Sequence, residues 1–267
     1  MANPQASFQT RYGPWAVVAG ASEGMGLQFA LQLADRDISV VMLARQEARL
    51  EQAAVLVRER GVEVRTLAVD LASDTLIDDV AACVGELEIG LLVYNAGLST
   101  QSNFFETELN DHLNLLYVNC RGPVLLAHHF GRAMMQRGRG GILLMSSVAG
   151  FVGSGLNAMY ASTKAFDIVL GEGLARDLEK RGVDVLSMVA GATRTPQFER
   201  SQTGKANAPV MEPADVVREA FDALGTTNFR VAGANKVAAF LLTKLLSRKR
   251  ASAIMTKASY ALSGKRG

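Results

Sequence analysis

Cysteine is almost missing from this 267-residue chain. Cys83 and Cys120 are the whole complement, and they offer neither a disulfide framework nor a metal-ligand spacing. Proline is scarce as well, six residues in all, and three of these fall within residues 192–213. No uncharged apolar run reaches the roughly 18 residues of a membrane-spanning helix. The opening Met-Ala-Asn-Pro-Gln-Ala-Ser-Phe-Gln-Thr-Arg lacks the basic start and apolar stretch of a secretory signal. Acids are absent beyond Asp222, while nine of the 28 Lys and Arg residues lie there. The first 222 residues therefore carry 19 cations against 26 acids, a net of −7, ahead of a basic tail. With 20% charged and 49% hydrophobic residues, a disordered chain is excluded. The expectation is a soluble, cytoplasmic protein of one domain spanning residues 1–267.

What is present is an alternation. Trp15-Ala-Val-Val-Ala19, Ser39-Val-Val-Met-Leu43, Val62-Glu-Val-Arg-Thr-Leu-Ala68, Ile89-Gly-Leu-Leu-Val-Tyr94, Gly141-Ile-Leu-Leu-Met-Ser146 and Val183-Asp-Val-Leu-Ser-Met-Val189 read as strands. Several are apolar on both faces, as strands of a covered parallel sheet are. Helical patterns occupy about 24–35, 46–60, 74–86, 109–136 and 158–181, with Gly61, Gly90 and Gly182 at junctions. The order predicts a doubly wound α/β sheet in three layers, α/β/α. Residues 192–213 read as a long surface loop over the substrate, and about 236–267 as a basic C-terminal extension.

The first strand runs into Gly20-Ala-Ser22-Glu23-Gly24-Met25-Gly26 and then a helical pattern. A glycine turn at a strand–helix junction lets backbone approach a pyrophosphate, whose charge the helix N-terminus favours. The spacing is G-x-x-x-G-x-G. Asn95-Ala96-Gly97 follows the fourth strand, and Asp70-Leu71 follows the third. With these elements in order, residues 13–235 resemble the short-chain dehydrogenase/reductase family, whose fold is Rossmann-type. Tyr94 stands where the family usually has a first Asn. The resemblance implies that Asp70 and the adjoining Leu71 contact adenine, with Asn95, Ala96 and Gly97 along the cofactor.

Cofactor choice turns on Leu43-Ala44-Arg45. An enzyme using NAD commonly has an acid here for the ribose hydroxyls, and that acid repels a 2′-phosphate. Ala44 removes it, and Arg45 offers a permanently charged phosphate ligand. Ser22 can donate to the same phosphate. Glu23 departs from the Lys or Arg that the family's NADP users often carry at this position. NADP(H) is the expected cofactor, with NAD(H) as the alternative.

Tyr160-Ala-Ser-Thr-Lys164 opens a predicted helix, and an interval of four places both side chains on one face. A Tyr hydroxyl ionises near pH 10, and a neighbouring ammonium favours the phenolate. Ser147 lies thirteen residues before Tyr160, directly after the fifth strand, where open α/β sheets bind ligands. Ser146 is its competitor and is expected to point elsewhere. The family separates its catalytic Ser and Tyr by the same interval, and Asn119 resembles the Asn completing its tetrad. The resemblance implies that Tyr160 exchanges the proton, Ser147 orients the substrate oxygen and Lys164 lowers the Tyr pKa while holding the nicotinamide ribose. Asn119 would fix a water between Lys164 and solvent. In Ala190-Gly-Ala-Thr-Arg-Thr195, Ala190 replaces the family's Pro, and Thr195 would contact the carboxamide.

Substrate and partners follow less directly. Phe198, Val210 and Met211, with Phe151, Val152 and Leu156, suggest an apolar pocket. Leu87-Glu-Ile-Gly-Leu-Leu-Val-Tyr-Asn-Ala-Gly-Leu-Ser99 is similar to the branch of hydroxysteroid dehydrogenases and long-chain 3-oxoacyl-CoA reductases. The expected reaction interconverts a ketone and a secondary alcohol on a hydrophobic body such as a steroid, a 3-oxoacyl group or an aryl ketone. Competing readings are a non-catalytic NADP-binding regulator and a sugar-nucleotide epimerase or dehydratase; the tetrad and the glycine spacing count against them. No metal site is expected, since His112, His128 and His129 lack a neighbouring ligand set. Cys120 reads as a small buried side chain, and no nucleic-acid motif accompanies the basic tail. The resemblance implies a homodimer or homotetramer built on 109–136 and 158–181. Val237-Ala-Ala-Phe-Leu-Leu-Thr-Lys-Leu-Leu246, followed by Arg248-Lys-Arg250, reads either as a helix packed on its own protein or as a peripheral membrane contact.

Overall fold

A computed structural model describes residues 4–201, 210–233 and 235–264. The chain runs through α1 (Pro4–Tyr12), β1 (Trp15–Ala19), α2 (Gly24–Ala34), β2 (Ser39–Ala44), α3 (Glu47–Arg58), β3 (Val64–Ala68), α4 (Leu76–Val84) and β4 (Ile89–Tyr94). It continues as α5 (Leu109–Leu116), α6 (Gly122–Arg137), β5 (Gly140–Ser147), α7 (Ala158–Leu178), β6 (Val183–Ala190) and α8 (Pro196–Ser201). The last elements are α9 (Pro213–Ala223), β7 (Phe229–Val231), α10 (Asn235–Phe240) and α11 (Arg248–Ser263).

The seven strands form one parallel sheet in the order β3-β2-β1-β4-β5-β6-β7. Strand alternation divides the core into two layers. Val18, Val40, Met42, Leu91 and Val93 face one way, against Phe29 and Leu33 of α2, Leu50 of α3 and Val216, Val217 and Phe221 of α9. Val17, Val41, Leu43, Leu92 and Tyr94 face the other, against Val80 of α4 and Leu126, Phe130 and Met134 of α6. Burying each large apolar side chain contributes about 1.5–3 kcal/mol, which is why strands apolar on both faces require helices on both sides. The chain leaves β1 toward β2 in one direction and reaches β4 on the other side. The carboxyl ends of β1 and β4 therefore flank a crevice.

Several expectations are corrected. The segment 109–136 is helical throughout, as expected, but not a regular α-helix: a π-turn at Tyr117–Arg121 stands between α5 and α6. Residues 192–213 are not wholly loop, because Thr195 accepts a hydrogen bond from Phe198 N at 3.1 Å and Pro196 opens α8. That Thr-Pro start is a readable helix signal. The ends of the segment are joined, with Met211 N donating to Ala192 O and Arg194 N to Met211 O, both at 2.9 Å. Residues 202–209 of this expected substrate loop lie outside the described residues. No helix among the described residues is long and apolar enough to cross a membrane.

Candidate active site

Two adjoining cavities open at the carboxyl edge of the sheet. The first, about 210 Å³, is lined by the glycine turn, Ala44-Arg45, Asp70-Leu71, residues 95–98 and Thr195. It gathers Gly20, Ser22, Glu23, Gly24, Met25, Arg45, Asp70, Leu71, Asn95, Ala96, Gly97 and Thr195 from five separate loops. Gly26 stands just behind it. A Cβ on Gly26 would lie 1.8 Å from Gly20 O, so only glycine lets α2 start this close to β1. Gly20 has φ 81°, the left-handed turn that directs the chain away from the strand. No side chain caps α2 at Glu23, which leaves the N–H groups of its first turn for an anion in the groove. Asn95 donates from Nδ2 to Gly20 O at 3.1 Å, while its buried Oδ1 has no partner. An uncapped helix start, an orphaned acceptor and a close-packed glycine turn fit a dinucleotide.

The rim carries features that sequence reasoning missed. Glu23 is held by Arg49, at 3.1 Å, and by Arg200 of α8. Glu23, which lines the groove together with Arg45, thus carries two further cations on its carboxylate. Asp70 forms a local turn, accepting from Ala72 N at 3.0 Å. Thr195 packs its methyl against Gly24, so the loop after β6 touches the glycine turn.

The second cavity, about 280 Å³, shares Met25, Asn95, Gly97, Thr195 and Gln197 with the first. Ser147, Tyr160 and Lys164 line it together. Ser147 ends β5 and accepts from Ala149 N at 3.2 Å, fixing its hydroxyl at the strand end. Ser146 behaves as its competitor should: its hydroxyl is buried and donates to Lys164 O at 2.6 Å. Tyr160 and Lys164 project from the first two turns of α7. Lys164 Nζ donates to Met145 O and to Asp167 Oδ2, each at 2.8 Å. Burial works to lower the Lys164 pKa, yet Asp167, with Tyr160 and Cys120, outweighs it and the net displacement is upward.

Asn119 lines neither cavity. It sits fully buried in the π-turn, where both amide hydrogens are spent on Leu98 O at 2.8 Å and Thr163 Oγ1 at 3.0 Å. Its Oδ1 accepts from Leu98 N at 2.8 Å. Gly97 lies between Asn119 and Lys164, close to both. Asn119 thus pins the strap after β4 to α7, around the lysine.

The apolar wall differs from expectation. Phe198 faces the second cavity, but Val210, Met211, Phe151, Val152 and Leu156 do not. Met211 packs on the core beside α9, and Phe151 lies against Phe229. Their places are taken by Val148, Ala149 and, from the C-terminal helix, Met255, Ala258, Ser259 and Leu262. α11 reaches the cavity because Thr256 Oγ1 accepts from Gly155 N at 2.9 Å and Ser259 Oγ from Asn157 Nδ2 at 3.2 Å. One face of α11 therefore packs on its own domain. The alternation of apolar and cationic residues there gave no hint of which surface the helix would meet. His112 is buried, stacked on Phe104 and bonded through Nε2 to Phe104 O, away from both cavities.

Comparison with known proteins agrees with this geometry. The family model of short chain dehydrogenases matches residues 14–206. A 7beta-hydroxysteroid dehydrogenase of Clostridium sardiniense is 30% identical over 230 residues, covering 85% of this chain and 88% of that protein. A very-long-chain 3-oxoacyl-CoA reductase of Aspergillus oryzae is 32% identical over 219 residues, 80% of this chain and 62% of that one. Among solved structures, a 7beta-hydroxysteroid dehydrogenase superposes with a TM-score of 0.88 at 28% identity, covering 93% of this chain and 98% of that chain. A short-chain dehydrogenase from Sphingobium yanoikuyae in complex with NADPH superposes with a TM-score of 0.75 at 28% identity, covering 95% and 97%. The chain belongs to the short-chain dehydrogenase family, Rossmann-fold oxidoreductases that act on CH–OH groups with a nicotinamide dinucleotide.

Proposed function

We propose that this enzyme uses NADP(H) to interconvert a ketone and a secondary alcohol on a hydrophobic body, a steroid or 3-oxoacyl compound before an aryl ketone. The observation that carries the reading is the placement of Ser147, Tyr160 and Lys164 in one cavity that opens into the groove over the glycine turn. The Tyr160 hydroxyl gives its proton to the carbonyl oxygen in reduction and receives it back in oxidation. Ser147 donates a hydrogen bond to the same oxygen and orients it. Lys164, a buried ammonium one turn along α7, places a fixed positive charge beside the Tyr160 hydroxyl. Asn119 keeps Gly97 and α7 in register around that ammonium. Arg45, Ser22 and Arg49 would hold the 2′-phosphate, and Thr195 the carboxamide. The cofactor, when bound, supplies the hydride.

The substrate class rests on the mostly apolar lining from Phe198, Val148, Met255 and Leu262, and on relatives that are a 7beta-hydroxysteroid dehydrogenase and a 3-oxoacyl-CoA reductase. Oxidation of NADPH and NADH is to be followed with ketosteroids, 3-oxoacyl thioesters and aryl ketones. Turnover is expected with one of the first two classes, and Tyr160→Phe should lower kcat by about 10²–10⁴-fold with cofactor binding retained. Near-normal turnover by Tyr160→Phe would overturn the reading.

Two surfaces suit partners. Leu109, Leu113 and Tyr117 on α5 and the π-turn, Val124 on α6 and Val169 on α7 are exposed apolar residues, the faces on which a homo-oligomer would be built. Val237, Phe240, Leu241 and Leu245 are exposed next to Lys244, Arg248, Lys249 and Arg250, a pattern suited to an anionic membrane surface beside the cavity that α11 walls. Co-sedimentation with anionic liposomes that weakens with salt, and disappears in Phe240→Ser/Leu245→Ser, is the expected result. Protein left in the supernatant at low salt would make the tail structural only.

A further inference from the structure

Asp167 lies one turn beyond Lys164 on α7 and is 2% exposed. Its Oδ2 meets Lys164 Nζ at 2.8 Å, and its other carboxylate oxygen is buried with no hydrogen-bond partner. A carboxylate held this way is expensive to bury unless it is paired with a cation. Lys164 is the only cation that meets it among the described residues. The same holds in reverse: Lys164 is 5% exposed, and its other bond is to the neutral carbonyl of Met145. An amine so enclosed sheds its proton readily in the absence of an anion.

We propose that Asp167 is a positioning residue for the reaction, keeping Lys164 an ammonium throughout the working pH range and aiming it by two fixed hydrogen bonds, so that one N–H is left for the Tyr160 and ribose side. The inference rests on the Tyr160–Lys164 reading given above. The titratable groups facing the pair are Tyr160 on α7, Cys120 in the π-turn and Tyr94 on β4. Burial drives the Cys120 thiol up to about 11, and burial likewise pushes Tyr94 well above the usual tyrosine value. Both are neutral near pH 7, so of these groups Asp167 alone supplies negative charge. Burial also raises the Asp167 pKa; the neighbouring ammonium offsets this only in part, and the net displacement is upward.

The sign of the effect separates this role from its opposite. A carboxylate that merely offset the lysine field would, on removal, let Tyr160 ionise at lower pH. A carboxylate that maintains the ammonium would, on removal, cost Tyr160 its positive neighbour. The test is the pH profile of kcat/KM for alcohol oxidation by the full chain with saturating oxidised cofactor. In Asp167→Asn the acid limb should move by roughly one unit to higher pH, with reduced cofactor still binding by fluorescence titration. Asp167→Glu should restore the wild-type limb. A limb that stays in place or moves to lower pH in Asp167→Asn overturns the proposal, even if kcat falls, because lost packing alone lowers rate or Tm without displacing the limb. If the amide variant does not fold, Asp167→Ser carries the same expectation and the same refutation. Tyr160→Phe is run beside them: an inactive Tyr160→Phe with an unmoved limb rejects only the role of Asp167, whereas an active Tyr160→Phe rejects both readings.

Discussion

Arg200 pairs with Glu23 across 177 residues of sequence, tying α8 to the glycine turn, and Arg49 joins the same carboxylate from α3. The acid that stands where NADP users of the family often carry a base is thus neutralised by two guanidiniums. One of them, Arg49, lies in the first turn of α3, four residues beyond Arg45.

Glu23→Gln should therefore favour NADPH. The substitution removes a carboxylate from the groove and frees Arg49 and Arg200 for a phosphate, with little change in volume. The ratio of kcat/KM for NADPH to that for NADH is expected to rise several-fold. An unchanged or lower ratio would show that Glu23 holds the rim in place rather than opposing the phosphate.

Arg45→Asp acts in the other direction. It deletes a cation that lines the groove and places an anion where the 2′-phosphate would sit. The same ratio should fall by about tenfold or more, equivalent to roughly 1.4 kcal/mol. An unaltered ratio would assign the phosphate to another residue, with Arg49 the first to examine.

Stability should decline in alkali through Tyr12. Burial, then the hydrogen bond to Asp184 at 2.7 Å, raise its pKa far above the usual value. In the unfolded chain the hydroxyl ionises near pH 10, about the free value. Above that pH the unfolded state binds fewer protons than the folded one, so the stabilisation present below it is lost as pH rises. The slope contributed is at most about 1.4 kcal/mol per pH unit. Urea unfolding at pH 9 and pH 11 should show a smaller loss in Tyr12→Phe than in the wild type. The residual loss includes Tyr94, which burial shifts in the same direction.

Gly122→Ala should loosen the support under Asn119. A Cβ there would fall 2.1 Å from Tyr94 Oη, which donates to Val118 O at 2.5 Å inside the π-turn. Overpacking of this kind costs about 1–3 kcal/mol. The Tm should drop, and kcat should fall because the strap that Asn119 pins is displaced. Wild-type values for both would mean that the π-turn shifts without cost.

The elements that sequence reasoning located share a property. β1, β2, β4, β5 and β6 are buried on nearly every residue, so they appear as unbroken apolar runs between turn residues. The three-residue strand β7 is only half-buried, and its Phe229-Arg-Val231 carries no such run. α1 carries no such signal either, since its sequence Pro-Gln-Ala-Ser-Phe-Gln-Thr-Arg-Tyr is mostly polar. The π-turn interrupts a pattern whose period differs little from that of an α-helix, so 109–136 read as continuous.

The sequence alone determined the alternation of strands and helices, the glycine turn, the interval that puts Tyr160 and Lys164 on one face, and the charge of the tail. These depend on interactions within a few residues along the chain, where backbone geometry allows few alternatives. Tertiary structure decided which surface α11 covers, which arginines meet Glu23, and that Asn119 pins a strap. It also made the short-range pair of Lys164 and Asp167 consequential, because their spacing is local but their removal from water is not. Burial is set by β5, β6 and the π-turn closing around α7, and in that enclosure an ordinary i, i+3 ion pair becomes the condition for keeping a charge next to Tyr160.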